Sequence, residues 1–581
     1  MNYWNIQLHP NDMGWSREKE LLIKHGVIGL GDWEEAAKQQ PNFENTMQKG
    51  DIVLVKHGAT IIALVEVTGD YEYSTQTDEL LWFERRRKVK VLDWYNDTYD
   101  YRVSSRKTLE RCVNPDTDTY ISIKQWIQRI NNKKNMETCI NLLKANYNLI
   151  LTGAPGTGKT YLAKQIAAQM ILGKEYDEKT ASDDEKEKMK EQCGFVQFHP
   201  SYDYTDFVEG LRPVKDKNNS QIGFERMDGI FKNFCILASE NIENSQKRPE
   251  ILSHETAVEK MYNNLLNAIE SDEIKGFTLR SGDKKMLIEG VSDKKNIWLK
   301  TDNSESTTTY TVSLKRIKKL SNTYPNLESL ESVANINADI RRTIGGCNAS
   351  AYWAVLHYMY NEWGNIPSSV TEASIKPFVF IIDEINRGEI SKIFGELFFS
   401  IDPGYRGEKG KIKTQYQNLI SEDDYFENGF YVPENVYIIG TMNDIDRSVE
   451  SMDFAMRRRF TFKEVCASDT VEMLKTNEEL APFYDDIVQR MNNLNLCILT
   501  IQGFTSAYQI GAAYYLKLAN YLENGNISWN SLWDNHLRGL LFEYLRGLPN
   551  AEGDLKKLYS AYNMEVKYTY ESGIVKQVAN E

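Results

Sequence analysis

NLILTGAPGTGKTYLAKQIAAQM, residues 148–170, joins an apolar run typical of a buried strand to a helical run. Between the two, GAPGTGKT (153–160) fulfils every fixed position of the pattern G-x-x-x-x-G-K-[ST]. A strand, this loop and a helix, in that order, predict a phosphate-binding loop in a parallel α/β sheet. The alternative, a chance glycine-rich turn, does not explain the flanking strand and helix.

The loop predicts a role for each of its residues. Its glycines let backbone N–H groups point at phosphate, and the helix N-terminus adds positive potential. We expect Lys159 to reach the β- and γ-phosphates and Thr160 to hold Mg²⁺. The predicted nucleotide-binding residues are Gly153, Ala154, Pro155, Gly156, Thr157, Gly158, Lys159 and Thr160.

A second apolar strand, FVFIIDEIN (378–386), ends in two carboxylates. Many strands end in acidic caps, so the pattern alone is weak. Together with the phosphate-binding loop it predicts that Asp383 supports Mg²⁺ and that Glu384 orients or deprotonates the attacking water.

A third strand opens the stretch IIGTMNDIDRSVESMDFAMRRRF (438–460). Its neutral amide, Asn443, can position the lytic water and contact the γ-phosphate, and Asp446 can share that water. The arginines, Arg447 and then Arg457 to Arg459, suit stabilisation of charge on the γ-phosphoryl oxygens, which an arginine can also provide in trans. The alternative for the arginine run is a solvated helix end.

Composition describes a soluble chain of several domains. It has 581 residues, 41% hydrophobic and 26% charged, with a net charge of −14 that argues against indiscriminate coating of nucleic acid. No apolar run reaches the ~18 residues that span a bilayer, and the start has no secretory signal pattern. The seven cysteines are scattered without a CxxC pair. Free thiols, no zinc site, no membrane contact and a cytoplasmic location are expected.

These motifs resemble those of the McrB family, AAA+ GTPases that act in modification-dependent restriction with a nuclease partner, McrC. The signature MNxxDR is met by Met442, Asn443, Asp446 and Arg447. Further matching segments are VQFHPSYDYTDFVEGLRP (196–213), GFERMDGIFKNFC (223–235), FIIDEINRGEISKIFGELF (380–398), YVPENVYIIGTMNDIDRS (431–448) and DFAMRRRFTF (453–462). The resemblance implies GTP and Mg²⁺ as cofactors, a homo-hexameric ring, translocation along modified double-stranded DNA and cleavage by a separate McrC-like nuclease.

The resemblance also divides the chain. An AAA+ α/β core is expected at 135–242 and 375–465, with a helical C-terminal lid at 466–581. The separation of Lys159 from Asp383 is long for this fold, so 243–374 is interpreted as an α+β insertion. In the lid segment YQIGAAYY (508–515), Gln509 and Ala512 stand where the family often has an arginine and a histidine. No NKxD motif is present, so ATP remains an alternative to GTP.

Residues 1–134 more loosely resemble EVE/YTH-like members of the PUA-like domains, through YWNIQ, HGVIGLGDW and GDIVLVKHG. Such domains receive a flipped, modified base in an aromatic cage. Trp33 is the first candidate for the cage, and Trp15, Trp4 and Tyr73 are further ones; the alternative is that these rings are core. RRRKVK (85–90) suits either phosphate contact or a solvated sheet edge. LKRIKKL (314–320) suits contact with DNA or with the partner, or else a solvated helix face.

Two other functions fit the same motifs. A MoxR-like AAA+ ATPase that remodels proteins would carry the DEINR and MNDIDRS segments but need no base cage. A nucleotide-gated sensor of modified nucleic acid would signal by oligomerising, and Glu384 and Asn443 argue against it, because a pure switch needs no water-activating pair.

Overall fold

The chain forms two compact units, Met1–Cys139 and Ile140–Glu581. The computed structural model describes residues 1–8, 15–31, 39–105, 107–215, 222–282, 284–292, 295–302, 308–346, 348–364, 373–420, 424–443, 445, 454–523, 525–571 and 573–578. Within these ranges, no helix combines the length and the apolar character needed to cross a membrane.

The first unit is built on a six-stranded sheet with the order β2-β5-β4-β3-β1-β6, in which only the β1–β3 pair is parallel. Its strands are β1 Tyr3–Gln7, β2 Val27–Leu30, β3 Ile52–His57, β4 Thr60–Tyr73, β5 Arg85–Trp94 and β6 Leu109–Cys112. Helices cover Glu18–His25 and Asp118–Asn146, and a π-helical turn covers Asn42–Thr46. The long helix contains the boundary between the units, a few residues after the expected boundary at 134.

An apolar cluster lies on each face of this sheet. Successive side chains of β3 point to opposite sides, so the strand contributes to both clusters. Val53 and Val55 join one apolar cluster with Trp4, while Leu54 joins another with Trp126 of the long helix. A small sheet with a few helices was predicted, and a separate N-terminal sheet domain is what the chain has.

Two arginines of the basic run in β5 have neither of its predicted roles. Arg86 and Arg87 are buried, and β5 lies inside the sheet between β2 and β4. Arg86 donates to the Phe83 carbonyl at 2.9 Å, and Arg87 donates to the Phe43 carbonyl at 2.8 Å. The phosphate contact and the solvated edge are therefore both wrong for these two arginines, which instead satisfy backbone carbonyls.

The second unit contains the predicted parallel α/β core. Its central sheet has five parallel strands in the order β17-β7-β16-β15-β8. The strands of the unit are β7 Asn148–Thr152, β8 Cys193–Gln197, β9 Glu209–Lys215, β10 Ile222–Asp228, β11 Gly276–Thr278, β12 Lys285–Val291, β13 Ile297–Thr301, β14 Thr309–Val312, β15 Phe378–Asp383, β16 Val436–Thr441, β17 Thr461–Glu464, β18 Leu522–Glu523, β19 Asn526–Ile527, β20 Lys567–Glu571 and β21 Ile574–Val578.

Helices and the β9–β10 hairpin complete the core. The helices are Lys159–Leu172, Asp183–Gln192, Tyr204–Phe207, Ile230–Gln246, Ile390–Phe394, Leu397–Ser400 and Phe454–Arg457. The hairpin is fixed by a buried charge network, in which Arg226 pairs with Glu209 at 3.0 Å and Asp228 at 2.6 Å, and Lys232 pairs with Asp228 at 3.0 Å. Asp424 closes the network on Arg226 at 2.5 Å.

The segment between Gln246 and β15 has a hydrophobic core of its own, around Tyr262, Leu299 and Trp353. Its sheet, β11-β12-β13-β14, is antiparallel. Its helices are Pro249–Glu270, Leu314–Thr323, Leu327–Glu331, Arg341–Ile344 and Ala349–Trp363. In the basic helix Leu314–Thr323, Ile317 and Leu320 are buried, and Lys318 pairs with Glu259 at 2.7 Å.

The C-terminal part, hereafter the lid, has another separate core, around Leu494, Tyr515 and Tyr562. Its helices are Tyr484–Ile498, Ala512–Tyr515, Trp529–Leu532, Arg538–Leu545 and Ala551–Tyr562. Two short hairpins, β18–β19 and β20–β21, interrupt the helical pattern that the sequence predicted.

Candidate functional site

The phosphate-binding loop connects β7 to the helix that begins at Lys159. The ammonium group of Lys159 is buried and donates to the carbonyls of Gly153 at 3.1 Å and Ala154 at 2.8 Å. Gly156 has a φ of 74°, and a Cβ there would lie 2.5 Å from Cδ2 of Tyr514. A side chain at this position is therefore excluded both by backbone conformation and by the lid.

Asp383 ends β15 beside this loop. Its Oδ1 accepts hydrogen bonds from the hydroxyl of Thr160 at 2.6 Å and from that of Thr441, at the end of β16, at 2.7 Å. A carboxylate and a hydroxyl oxygen suit Mg²⁺, which takes few protein ligands and completes its shell with phosphate oxygens and water. Within the described ranges, no group of three or more His, Cys, Asp or Glu side chains forms a candidate metal site.

Glu384 follows in the left-handed region, at a φ of 52°. Its N–H donates to the Thr441 hydroxyl at 3.1 Å, which helps to hold this conformation. Such backbone strain in a non-glycine residue is concentrated at functional sites. Here it turns the carboxylate of Glu384 away from that of Asp383, so that the two acids have different partners.

Asn443 connects the loop to Glu384. Its Oδ1 accepts a hydrogen bond from Lys159 Nζ at 2.8 Å, and its Nδ2 donates to Glu384 Oε1 at 2.7 Å. The other oxygen of Glu384, Oε2, lies 3.3 Å from Nε of Arg387. One polar chain thus runs from the phosphate-binding lysine to a carboxylate that can accept a proton from water.

One wall of a cavity of about 980 Å³ includes Lys159, Glu384, Arg387 and Asn443. The lid contributes the opposite wall and contacts the loop directly, because the N–H groups of Gly511 and Ala513 donate to the carbonyls of Pro155 and Gly156 at 3.2 and 3.0 Å. The cavity is lined by Pro155, Gly156, Gly158, Lys159, Thr160, Tyr161, Glu384, Arg387, Thr441, Asn443, Ile445, Met473, Tyr508, Ala513, Tyr514, Leu540, Glu543, Tyr544 and Arg546.

Of the predicted arginines, the three that the structure describes, Arg457 to Arg459, are not among the residues that line this cavity. Arg457 and Arg458 are exposed at the end of a short helix, and the Arg457 guanidinium lies 5.6 Å from the ring centre of Phe462. Arg459 is buried and donates to the carbonyls of Phe398 and Ala455, both at 2.6 Å, so it has a structural role. Asp446 and Arg447 lie outside the described residues.

The four aromatic residues proposed for a base cage have different environments. Trp4 is fully buried, and its indole N–H donates to Asp51 at 2.9 Å. It is therefore a core residue, and its prediction as part of the cage is wrong. Trp15 is partly buried against the same core. Tyr73 is 52% exposed, with the Arg85 guanidinium 5.6 Å from its ring centre. Trp33 lies outside the described residues.

Several lining residues had no predicted role. Thr441 and Arg387 both lie within motifs already quoted. For Thr441, the available signal was a polar residue at the end of a strand. The lid residues Glu543, Tyr544 and Arg546 carry no local signal, because only folding brings them to the loop. Beside Gln509 and Ala512, which stand where the family often has an arginine and a histidine, the lid contacts the loop through the backbone N–H groups of Gly511 and Ala513.

Comparison with known proteins agrees with this geometry. Residues 360–460 match the profile of an AAA domain (dynein-related subfamily). Over 387 residues, or 65% of the chain, it is 27% identical to the type IV methyl-directed restriction enzyme EcoKMcrB subunit of Escherichia coli K12. These similarities support a McrB-like AAA+ protein. A further match, 32% identical over 89 residues or 15% of the chain, is the type II restriction enzyme BsuMI component YdiS of Bacillus subtilis 168.

The chain spans 50% of the length of the Escherichia coli relative and 26% of that of the Bacillus one. Residues 131–193, which include the phosphate-binding loop, match the profile Novel STAND NTPase 3. Residues 14–111 match a domain of unknown function (DUF8426) rather than an EVE or PUA-like profile. The N-terminal domain thus has a sheet fold, and its base-recognition role stays a prediction.

Proposed function

We propose that the chain is the nucleotide-hydrolysing motor and DNA-recognition subunit of a McrBC-like restriction complex. GTP is the proposed nucleotide, modified double-stranded DNA the target, and a separate McrC-like nuclease the partner that cuts. The observation that carries the proposal is the polar chain Lys159–Asn443–Glu384 on the wall of a cavity large enough for a nucleotide. The names of both relatives support the restriction context.

The residues of this wall divide the work of hydrolysis. Lys159 and the loop N–H groups hold the β- and γ-phosphates, while Thr160 and Asp383 provide oxygens for Mg²⁺. Bound Mg²⁺ neutralises charge that develops on the phosphate oxygens. Glu384 accepts a proton from the attacking water, and Asn443 fixes both the lysine and this carboxylate relative to each other.

The site is completed by a neighbouring copy of the chain. Arg457 and Arg458 are exposed and are not among the residues that line the cavity of their own chain. A guanidinium supplied by a neighbour stabilises transition-state charge in many nucleotide hydrolases. We therefore propose a ring, a homo-hexamer by resemblance to McrB, in which these arginines act in trans.

The N-terminal domain is the proposed reader of modified DNA. Its exposed aromatic candidate is Tyr73. Trp15 and Trp33 remain further candidates for stacking on a flipped base.

Nucleotide turnover tests the proposal. The purified chain is given GTP or ATP. Each nucleotide is tested with and without the protein encoded by the adjacent gene, the candidate nuclease partner, and with methylated or unmethylated DNA. Selective GTP turnover that the neighbouring product stimulates supports the McrBC-like role. ATP turnover that neither DNA nor the partner changes would favour the protein-remodelling alternative.

A matched pair of variants ties turnover to the site. Glu384→Gln removes the proton acceptor and is expected to lower turnover at least about 100-fold while nucleotide still binds. Glu389→Gln changes an exposed carboxylate a few residues away and should leave turnover unchanged. Equal turnover by the two variants would refute the role of Glu384.

A further inference from the structure

The two walls of the cavity differ in chemistry. The wall of the α/β core carries the phosphate-binding loop, Lys159, Thr160 and Asn443. Apart from two charged side chains, the lid wall is aromatic and apolar, with Tyr508 edge-on to Tyr544 at 5.4 Å between ring centres. A nucleotide with its triphosphate on the core wall would therefore place its base against the lid, because aromatic rings stack on bases and do not bind phosphate.

Two charged side chains of the lid line the same cavity. Leu540, Glu543 and Tyr544 follow helical i, i+3, i+4 spacing on Arg538–Leu545, so they share one face. Arg546 comes directly after this helix, and its Nη1 lies 3.4 Å from Glu543 Oε2. The side chains of Glu543 and Arg546 are 61% and 75% exposed, so their pairing contributes little to the stability of the fold.

A carboxylate at this place has a specific chemical consequence. The negative charge of a triphosphate would repel this carboxylate, so we infer that it lies beside the base. An ionised carboxylate only accepts hydrogen bonds and a guanidinium only donates them. Guanine offers two adjacent donors, N1–H and the 2-amino group, beside the acceptor O6. Adenine instead turns the N1 lone pair toward the carboxylate.

We propose that Glu543, assisted by Arg546, selects guanine over adenine in this site. The carboxylate of Glu543 accepts from N1–H and the 2-amino group, and the guanidinium of Arg546 donates to O6. This inference deepens the proposed function and rests on its nucleotide site. It assigns the choice of GTP to two side chains of the lid.

The variant Glu543→Gln tests this inference, because it should change which base the site prefers. A carboxamide accepts one hydrogen bond and donates one, which fits xanthine, where a carbonyl oxygen replaces the 2-amino group of guanine. Calorimetric titration of the full chain with the β,γ-imido analogues of GTP, XTP and ATP measures binding without hydrolysis. In the variant we expect affinity for the GTP analogue to fall about 10- to 100-fold and affinity for the XTP analogue to rise.

Glu552→Gln is the control, since Glu552 is an exposed lid carboxylate that does not line the cavity. It should bind all three analogues as the unsubstituted chain does. Unchanged preference in Glu543→Gln, or tighter binding of the ATP analogue by the unsubstituted chain, would overturn the inference even if turnover is present. Guanine selectivity that depends on Glu543 without any turnover would support the inference and refute the proposed hydrolysis.

Discussion

Lys159 and Asn443 share a 2.8 Å hydrogen bond although 284 positions separate them in the chain. The bond joins the loop after β7 to the segment after β16, and these two strands are neighbours in the parallel sheet. Because the carboxyl ends of parallel strands meet at one edge, residues distant in sequence form one site. Asn443 also donates to Glu384, so under the proposed function we expect it to couple phosphate binding to water activation.

Asn443→Ala should separate these two processes. The variant keeps the contacts of Lys159 with the Gly153 and Ala154 carbonyls, so nucleotide affinity should change little. Turnover should fall on the order of 100-fold, because Glu384 loses the donor that fixes its carboxylate. Steady-state kinetics and titration measure the two effects, with Asn428→Ala, an exposed amide, as the control. A change in affinity alone would contradict the coupling role.

Gly156→Ala should uncouple the lid from the loop. The new Cβ would lie 2.5 Å from Cδ2 of Tyr514 at a φ of 74°, so the lid must shift. Nucleotide should then no longer raise the melting temperature. Gly282→Ala is the matched control, because Gly282 has a φ of 78° and open space around it. In that control, the left-handed backbone should lower the free energy of unfolding by about 1 kcal/mol, and nucleotide should still raise the melting temperature.

A mixing experiment tests whether the arginines act in trans. The double variant Arg457→Ala/Arg458→Ala should lose turnover about 1,000-fold while it still binds nucleotide. When it is mixed with Glu384→Gln, rings form in which an intact Glu384 faces a neighbour with intact arginines. Turnover of the mixture should therefore exceed that of either variant alone. A mixture no more active than its components would place the arginines in cis or outside catalysis.

The buried charge network of the β9–β10 hairpin predicts a pH dependence of stability. Burial raises the pKa of the Asp228 carboxyl, but Lys232 and Arg226 outweigh it, so the pKa lies below its usual value. A carboxyl with a lowered folded-state pKa stabilises the fold above the unfolded pKa of about 4 and loses this effect as pH falls through the folded pKa.

Asp228→Asn should therefore lower the free energy of unfolding by about 3 kcal/mol at pH 7, because Lys232 and Arg226 lose a buried partner. The difference in melting temperature from the unsubstituted chain should shrink below about pH 4. Glu225→Gln, at an exposed position on the same hairpin, should have no such effect. A difference independent of pH would show that charge at Asp228 is not the cause.

Trp4→Phe tests the corrected role of this ring. Loss of the indole N–H removes one of the donors to the Asp51 carboxylate and should destabilise the N-terminal domain by about 1–3 kcal/mol. Binding of modified DNA at a temperature where the domain is folded should not change. Tyr73→Ala is expected to do the opposite, weakening DNA binding with little effect on melting, since Tyr73 is exposed.

The parallel core could be predicted because its motifs are local. The loop at 153–160 fulfils a specific motif between a strand and a helix, and together with it the strand that ends at Asp383 predicts the magnesium side of the site. The arginines of β5 show the limit of this approach. RRRKVK predicts a charged surface, yet Arg86 and Arg87 are buried, because the backbone carbonyls of Phe83 and of the sequence-distant Phe43 accept their hydrogen bonds.

The sequence by itself determined the class of the core, the order of its strands along the chain and the residues of the phosphate-binding loop. These follow from hydrophobic periodicity and from motifs in which neighbours in sequence do the chemistry. Only the tertiary structure decided that Asn443 joins Lys159 to Glu384, that Trp4 is core and that Glu543 and Arg546 line the cavity. Side chains on separate elements meet through packing, and packing depends on the whole chain rather than on any one segment.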